Sequence, residues 1–178
     1  MSLEECRADF ERVSNRSMSM PIAGAVAWVC VAVLTFFLEY RFSLIALFLC
    51  TGMIFPLAIG VSKLRGEEVL SNRNPLARLM GLSAMMVNLL WAVHIPLYFY
   101  APQFVPLSLG ISLGLHWVVY SWIIQHPLGI IHAVARTILI LLAWLFFEDQ
   151  RLLAVSTVIV AMYLFTLFQM STRKISGT

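Results

Sequence analysis

The side chains able to do chemistry in this chain are few and lie close together. The run from Ser108 to Arg136, SLGISLGLHWVVYSWIIQHPLGIIHAVAR, holds His116, His126 and His132, Tyr120, and an arginine set among apolar residues. The turn Gln125-His126-Pro127 predicts two helices folded back to back. His116 lies ten residues before His126 and Arg136 ten residues after it. With a rise of roughly 1.5 Å per residue, both sit about 15 Å from the turn. That is near the middle of a bilayer core about 30 Å thick. Tyr120 and His132, six residues either side of His126, form a shallower level.

A guanidinium at mid-bilayer costs about 3 kcal/mol or more unless its surroundings compensate. All nine carboxylates fall in terminal segments or connections, so Arg136 meets no acidic residue at its own depth. Its candidate partners are the Gly52 carbonyl, which Pro56 leaves without a helical donor, together with Asn88, a tyrosine hydroxyl, water or a bound anion. The alternative is snorkelling, with the side chain leaning toward its helix N-terminus and the headgroups there. The candidate ligand-binding residues are Arg136 as the charge, His116 and Asn88 as hydrogen-bonders, Tyr120 and Trp91 as walls, and His132 across the hairpin.

Other chemistries find less support. His126 and His132, six apart, point in different directions on a helix. His116 and His132 could meet, but the nearby arginine and the lack of mid-membrane carboxylates or thiolates disfavour a metal cation. Ser112 and His116 lack a nucleophile elbow, and no P-loop or dinucleotide fingerprint is present. An intramembrane Asp/Glu proton relay is missing. No catalytic residue and no cofactor is assigned.

The elements that position these residues follow from composition. At 61% hydrophobic and 12% charged over 178 residues, with mean hydropathy +0.88, the chain reads as an all-α polytopic membrane protein. Six stretches predict a single bundle of six transmembrane helices: about Pro21–Leu38, Phe42–Val61, Arg78–Tyr100, Phe104–Ile124, Leu128–Phe147 and Leu152–Met170. Short connections predict that consecutive helices are antiparallel neighbours. Ser2 with Glu5 forms a capping box ahead of Leu3, Cys6, Phe10 and Val13, predicting a short interfacial helix. The organisation is therefore a cytoplasmic amphipathic segment at 1–16, a transmembrane domain at 17–172 and a short tail at 173–178.

Positive charge sets the orientation. Arg7, Arg12, Arg16, Lys63, Arg65, Arg73, Arg78, Arg173 and Lys174 fall on one side, and only Arg41 and Arg151 on the other. Both termini are expected in the cytoplasm. Lys and Arg are mixed with Glu4, Glu5, Asp9, Glu11, Glu67 and Glu68, so the basic balance does not mark nucleic-acid binding. Small residues Ala23, Ala25 and Ala27 open the first apolar stretch instead of following it, which argues against a cleavable signal peptide. Cys6, Cys30 and Cys50 form no CxxC motif or disulfide framework.

Within the bundle, Ser108, Ser112, His116 and Tyr120 repeat every four residues as a polar stripe. Gly110 and Gly114 lie roughly opposite, a GxxxG face suited to close packing and a candidate surface for pairing with a second copy. Gly81, Ala84, Asn88, Trp91 and His94 share a face of the third stretch; Gly129, His132 and Arg136 share one of the fifth. Ser156, Tyr163 and Thr166 could line a cavity from the sixth.

The segments TGMIFPLAIGVSKL, Asn74–Leu76 (NPL) and LGLHWVVYSW resemble motifs of an uncharacterised bacterial family of small multi-spanning membrane proteins. The resemblance extends over most of the chain. It implies a six-helix membrane fold in a bacterial cell membrane and carries over no functional residue.

Three functions fit these features: a small transporter, channel or embedded binding protein for a polar or anionic solute; a membrane enzyme using His116 and His132 on a lipid or isoprenoid; or an assembly subunit docking through the glycine face and the N-terminal helix. The orientation is directly testable. Reporter fusions after Met170 and within 63–74 should both report the cytoplasm, and an external signal from 63–74 would overturn the assignment.

Overall fold

A computed structural model describes residues 2–14, 18–67 and 74–173. The described residues form helices and contain no strand. Arg16, Arg73 and Lys174, counted above toward orientation, lie outside them, as do most of the 173–178 tail and part of the 63–74 connection. Four helical segments are long and apolar enough to cross a membrane, and six when each bent pair is taken as one span. Their outward surface carries exposed Phe36, Phe37, Leu49, Met86, Leu89, Phe99, Phe146 and Phe168. An apolar coat of that extent marks a membrane protein.

Helix α1 (Leu3–Ser14) starts as its capping box dictates: the Ser2 N–H donates to Glu5 Oε2 at 2.7 Å, and the Glu5 N–H donates to Ser2 Oγ at 3.2 Å. Cys6 and Phe10 turn inward. Asn74 fastens α1 to the bundle, its Nδ2 donating to the Cys6 carbonyl at 2.7 Å and to Asp9 Oδ2 at 2.9 Å. That hydrogen bond, and then Arg12, hold the Asp9 carboxyl below its ordinary pKa. Arg173 reaches Glu11 at 2.6 Å and ties the far end of the chain to the same helix.

Helix α2 (Ser19–Leu34) follows, and apolar turns carry the chain on to Leu38. The second stretch is kinked, as Pro56 leads one to expect, and the third and fourth, each still one long span, contain a local irregularity. The second divides at Met53 into α3 (Tyr40–Gly52) and α4 (Ile54–Arg65), bent by 41°. Pro56 accounts for this break, because it has no N–H for the Gly52 carbonyl. The third divides at Leu90 into α5 (Pro75–Leu89), capped by Asn74 with Pro75 in the first turn, and α6 (Trp91–Tyr100). The fourth divides at 113–115 into α7 (Val105–Ser112) and α8 (His116–Ile124). There the N–H groups of Gly114 and Leu115 reach back three residues, to Ile111 at 2.9 Å and Ser112 at 3.1 Å. Helices α9 (Leu128–Phe146) and α10 (Arg151–Thr172) are continuous.

The hairpin expected at Gln125-His126-Pro127 joins α8 to α9, with Gln125 at φ +50° closing the turn. Gly129 makes the close approach feasible: a Cβ there would lie 2.1 Å from the Trp117 carbonyl oxygen. Centrally, α10 packs on α2 and α9, and Gly24 makes room for the ring of Tyr163. The Gly110/Gly114 face, expected to suit a second copy, is filled from within the chain by Ile140, Val155 and Ile159 at Gly110 and by Arg136 at Gly114. The expectation that consecutive spans are full neighbours fails at one place. Phe48 of α3 meets Trp91 of α6, with ring centroids 5.3 Å apart, but the second and third spans otherwise make only sparse contact.

Gly129→Ala should therefore cost about 1–3 kcal/mol, as overpacking against a fixed backbone does. Gly81→Ala, where a Cβ meets nothing within 4 Å, should not destabilise. Thermal unfolding of the two variants in detergent would check the contrast.

Candidate functional site

Arg136 is the largest polar side chain in the core and is 0% exposed. Its Nε donates to the Gly110 carbonyl at 3.0 Å. In a regular helix that carbonyl would accept from the Gly114 N–H, which here turns to Ile111. The break between α7 and α8 thus frees one acceptor, and the buried cation takes it. The sequence foresaw a freed carbonyl as partner but placed it at Gly52. Arg136 Nη1 reaches His132 Nε2 at 3.4 Å, and the guanidinium lies 5.3 Å from the Tyr163 ring centroid and 6.0 Å from that of Trp28. Aromatic faces at this range stabilise a desolvated cation. The side chain is held inside the bundle and does not snorkel.

His132 is committed at both nitrogens. Arginine only donates, so His132 Nε2 accepts and Nδ1 carries the proton, donating to Thr166 Oγ1 at 2.7 Å. Its ring stacks on Trp117 with centroids 4.4 Å apart. His132 therefore has no free nitrogen for acid–base work. Among the described residues no group of three or more His, Cys, Asp or Glu is placed to hold a metal ion.

Two adjoining cavities lie beside this cluster. One, of about 180 Å³, runs beneath Phe10 and Ser14 of α1, past Glu67, to His116, Trp117 and Tyr120. The other, of about 380 Å³, is lined by Thr51, Gly52, Phe55, Asn88, His116 and Tyr163 among others, and by no carboxylate. They share walls at Met20, Phe55, Gly81, Ala84, His116 and Trp117. Glu67 is already engaged by Ser19 and by Arg65, whose Nε lies 2.6 Å away. Breaks in two spans reach the larger cavity, through Gly52 and through Leu113 with His116. Interrupted backbone at membrane depth is tolerated where it is buried in protein or lines such a space.

The six candidate residues separate into two layers. His116 lines both cavities, Tyr120 the smaller one and Asn88 the larger. Asn88 also donates to the Ala84 carbonyl at 3.1 Å. Arg136 and His132 stand behind them, with Trp117 and Tyr163 between. Trp91 lines neither cavity and packs on Phe48. Ser108 and Ser112, read as one stripe with His116, instead hold His94, at 3.1 Å from Nδ1 and 3.0 Å from Nε2. Trp28 was missed in the sequence; its only signal is the run of small residues Ala23–Ala27 before it. Tyr163 and Thr166 were legible as one face of the last stretch, but not as partners of Arg136 and His132.

The cluster is rich in donors. Arg136 Nη2, Trp28 Nε1 and Trp117 Nε1 find no acceptor among the described residues, and His116 Nδ1 has no partner. A buried donor left unpaired costs about 1–3 kcal/mol, and more when charged.

The chain belongs to a family of unknown function (DUF7010), whose model matches residues 3–173. No curated protein and no solved structure matches it. The expected family resemblance is thereby established, and the description assigns no activity.

Thr166→Val should leave the His132 Nδ1 proton to the Met162 carbonyl alone and cost about 1 kcal/mol or less. Nitrogen-15 NMR of histidine-labelled protein should show the Nδ1–H tautomer at His132 in the native chain.

Proposed function

We propose that this family member is a membrane-embedded binding or transport protein for a small anionic or strongly polar solute, seated in the larger cavity against His116, Trp117 and Asn88. One observation carries the proposal: among the described residues, Nε1 of Trp117, which lines the carboxylate-free larger cavity, and, behind it, Trp28 Nε1 and one guanidinium nitrogen of Arg136 lack acceptors. An ionised carboxylate or phosphate offers acceptors only, which is the complement the cluster needs. Arg136 supplies a positive field from one layer behind, and low-dielectric surroundings strengthen it. The break at Met53, where the span bends by 41°, supports a transport role, since helices broken near the midplane form the sites of many transporters. In this reading both termini face the cytoplasm, and the smaller cavity, beneath α1, leads in from that side. His116 retains a free nitrogen, but His132 does not, which weighs against paired acid–base catalysis by the two.

Native mass spectrometry of protein extracted from its own membrane should find a retained anion. Arg136→Gln, whose amide can still donate to the Gly110 carbonyl, should lower retention about tenfold, the scale of one charge acting through a buried layer of side chains, while the protein stays folded by circular dichroism. Arg136→Lys should rescue only partly, lacking the planar fork. Full retention by well-folded Arg136→Gln would remove the assignment.

A further inference from the structure

The spans on either side of the larger cavity meet along one half only. Phe48 of α3 touches Trp91 and Tyr98 of α6, with ring centroids 5.3 and 6.1 Å apart. Beyond the turns at Met53 and Leu90 the main partners change: α4 packs on α2 and α5 packs on α8 and α1, while α4 and α5 make only sparse contact with each other. The larger cavity lies behind that gap. Phe55 on α4 and Gly81, Met85 and Asn88 on α5 line it, and all four are exposed. At Gly81 a Cβ would meet nothing within 4 Å, so the slot is open there. The segment Pro75–Tyr100, which carries α5, is the least buried of the four long spans.

A gap in an apolar coat at span depth faces acyl chains, not water. The walls match that neighbour. Ile54, Phe55 and Met85 make the wall beside the gap apolar, and methionine adapts readily to chains of varied shape. Polar groups stand at the inner end, at His116 and before the Arg136 cluster, while Asn88, its amide donating to the Ala84 carbonyl, lies at the exposed side. A volume of about 380 Å³ is at the small end of ligand sites, which run from about 300 to 1,000 Å³. It holds a head group and the start of one chain.

We infer that the gap between α4 and α5 is a lateral portal, and that the ligand is a single-chain amphiphile with an anionic head, a long-chain carboxylate or phosphate. Its head sits at His116 and Trp117 in front of Arg136, and its tail leaves between Phe55 and Gly81 into the bilayer. The inference rests on the anion reading above and adds the tail and the route.

The test uses the full chain in phosphatidylcholine nanodiscs, with binding read by native mass spectrometry. The probes are palmitate and lysophosphatidate, with acetate and inorganic phosphate as heads without tails. At least one amphiphile should bind about tenfold or more tighter than its tail-less head, and comparison of the two amphiphiles distinguishes a carboxylate from a phosphate head. Gly81→Phe should weaken that binding about tenfold or more by filling the portal. Met85→Trp, at an exposed position, fills the same slot should Gly81→Phe not fold, and thermal unfolding monitors both. If the tail-less anions bind as tightly as the amphiphiles, or a folded portal variant binds palmitate and lysophosphatidate as the native chain does, the portal is overturned and the anion site stands. If no probe of either kind binds, both readings fall.

Discussion

A single buried charge without a counter-charge constrains the whole interior. Arg136 is sealed from both lipid and water, and no carboxylate is available among the spans. Its stabilisation has to come from neutral groups: a carbonyl, a histidine nitrogen and two aromatic faces. Each of these needs its own support. The Gly110 carbonyl is available because the helix breaks between α7 and α8. The His132 nitrogen accepts because Thr166 takes the proton on the other side of the ring. Tyr163 reaches the guanidinium because Gly24 has no side chain in its way.

The same compensation is incomplete, and the shortfall lies beside a cavity. Among the described residues one guanidinium nitrogen and two indole nitrogens remain without acceptors, while the cavity wall shared by His116 and Trp117 opens toward α4 and α5. A protein that only needed to bury Arg136 would be more stable with an apolar residue there, because desolvating a charge is rarely recovered by neutral partners. Retaining the charge next to a carboxylate-free space is what a site for an acceptor-rich ligand requires. The interrupted spans serve both ends: one break frees an acceptor for the arginine, and another brings Gly52 to the cavity wall.

Much was decided by local sequence. Apolar stretch lengths determine the helical membrane class, the Ser2–Glu5 box starts α1, and Pro56 breaks the second span. The Gln125-His126-Pro127 turn sets the hairpin that brings α9 against the α7/α8 irregularity, so the distance of Arg136 from that turn followed from counting residues. Depth along a helix is a one-dimensional property, and the chain carries it directly.

Rotation and partner choice were not legible in the same way. Which carbonyl Arg136 takes, that Trp28 and Tyr163 flank it, that Ser108 and Ser112 serve His94, and that α4 and α5 splay apart all depend on how each helix turns about its axis. Spans that are apolar on every side offer little contrast between a polar and an apolar face to signal that turn. The packing of small residues at Gly24, Gly110 and Gly129 settles it, and that is a property of the assembled bundle, where a residue absent from one helix makes room for a side chain from another.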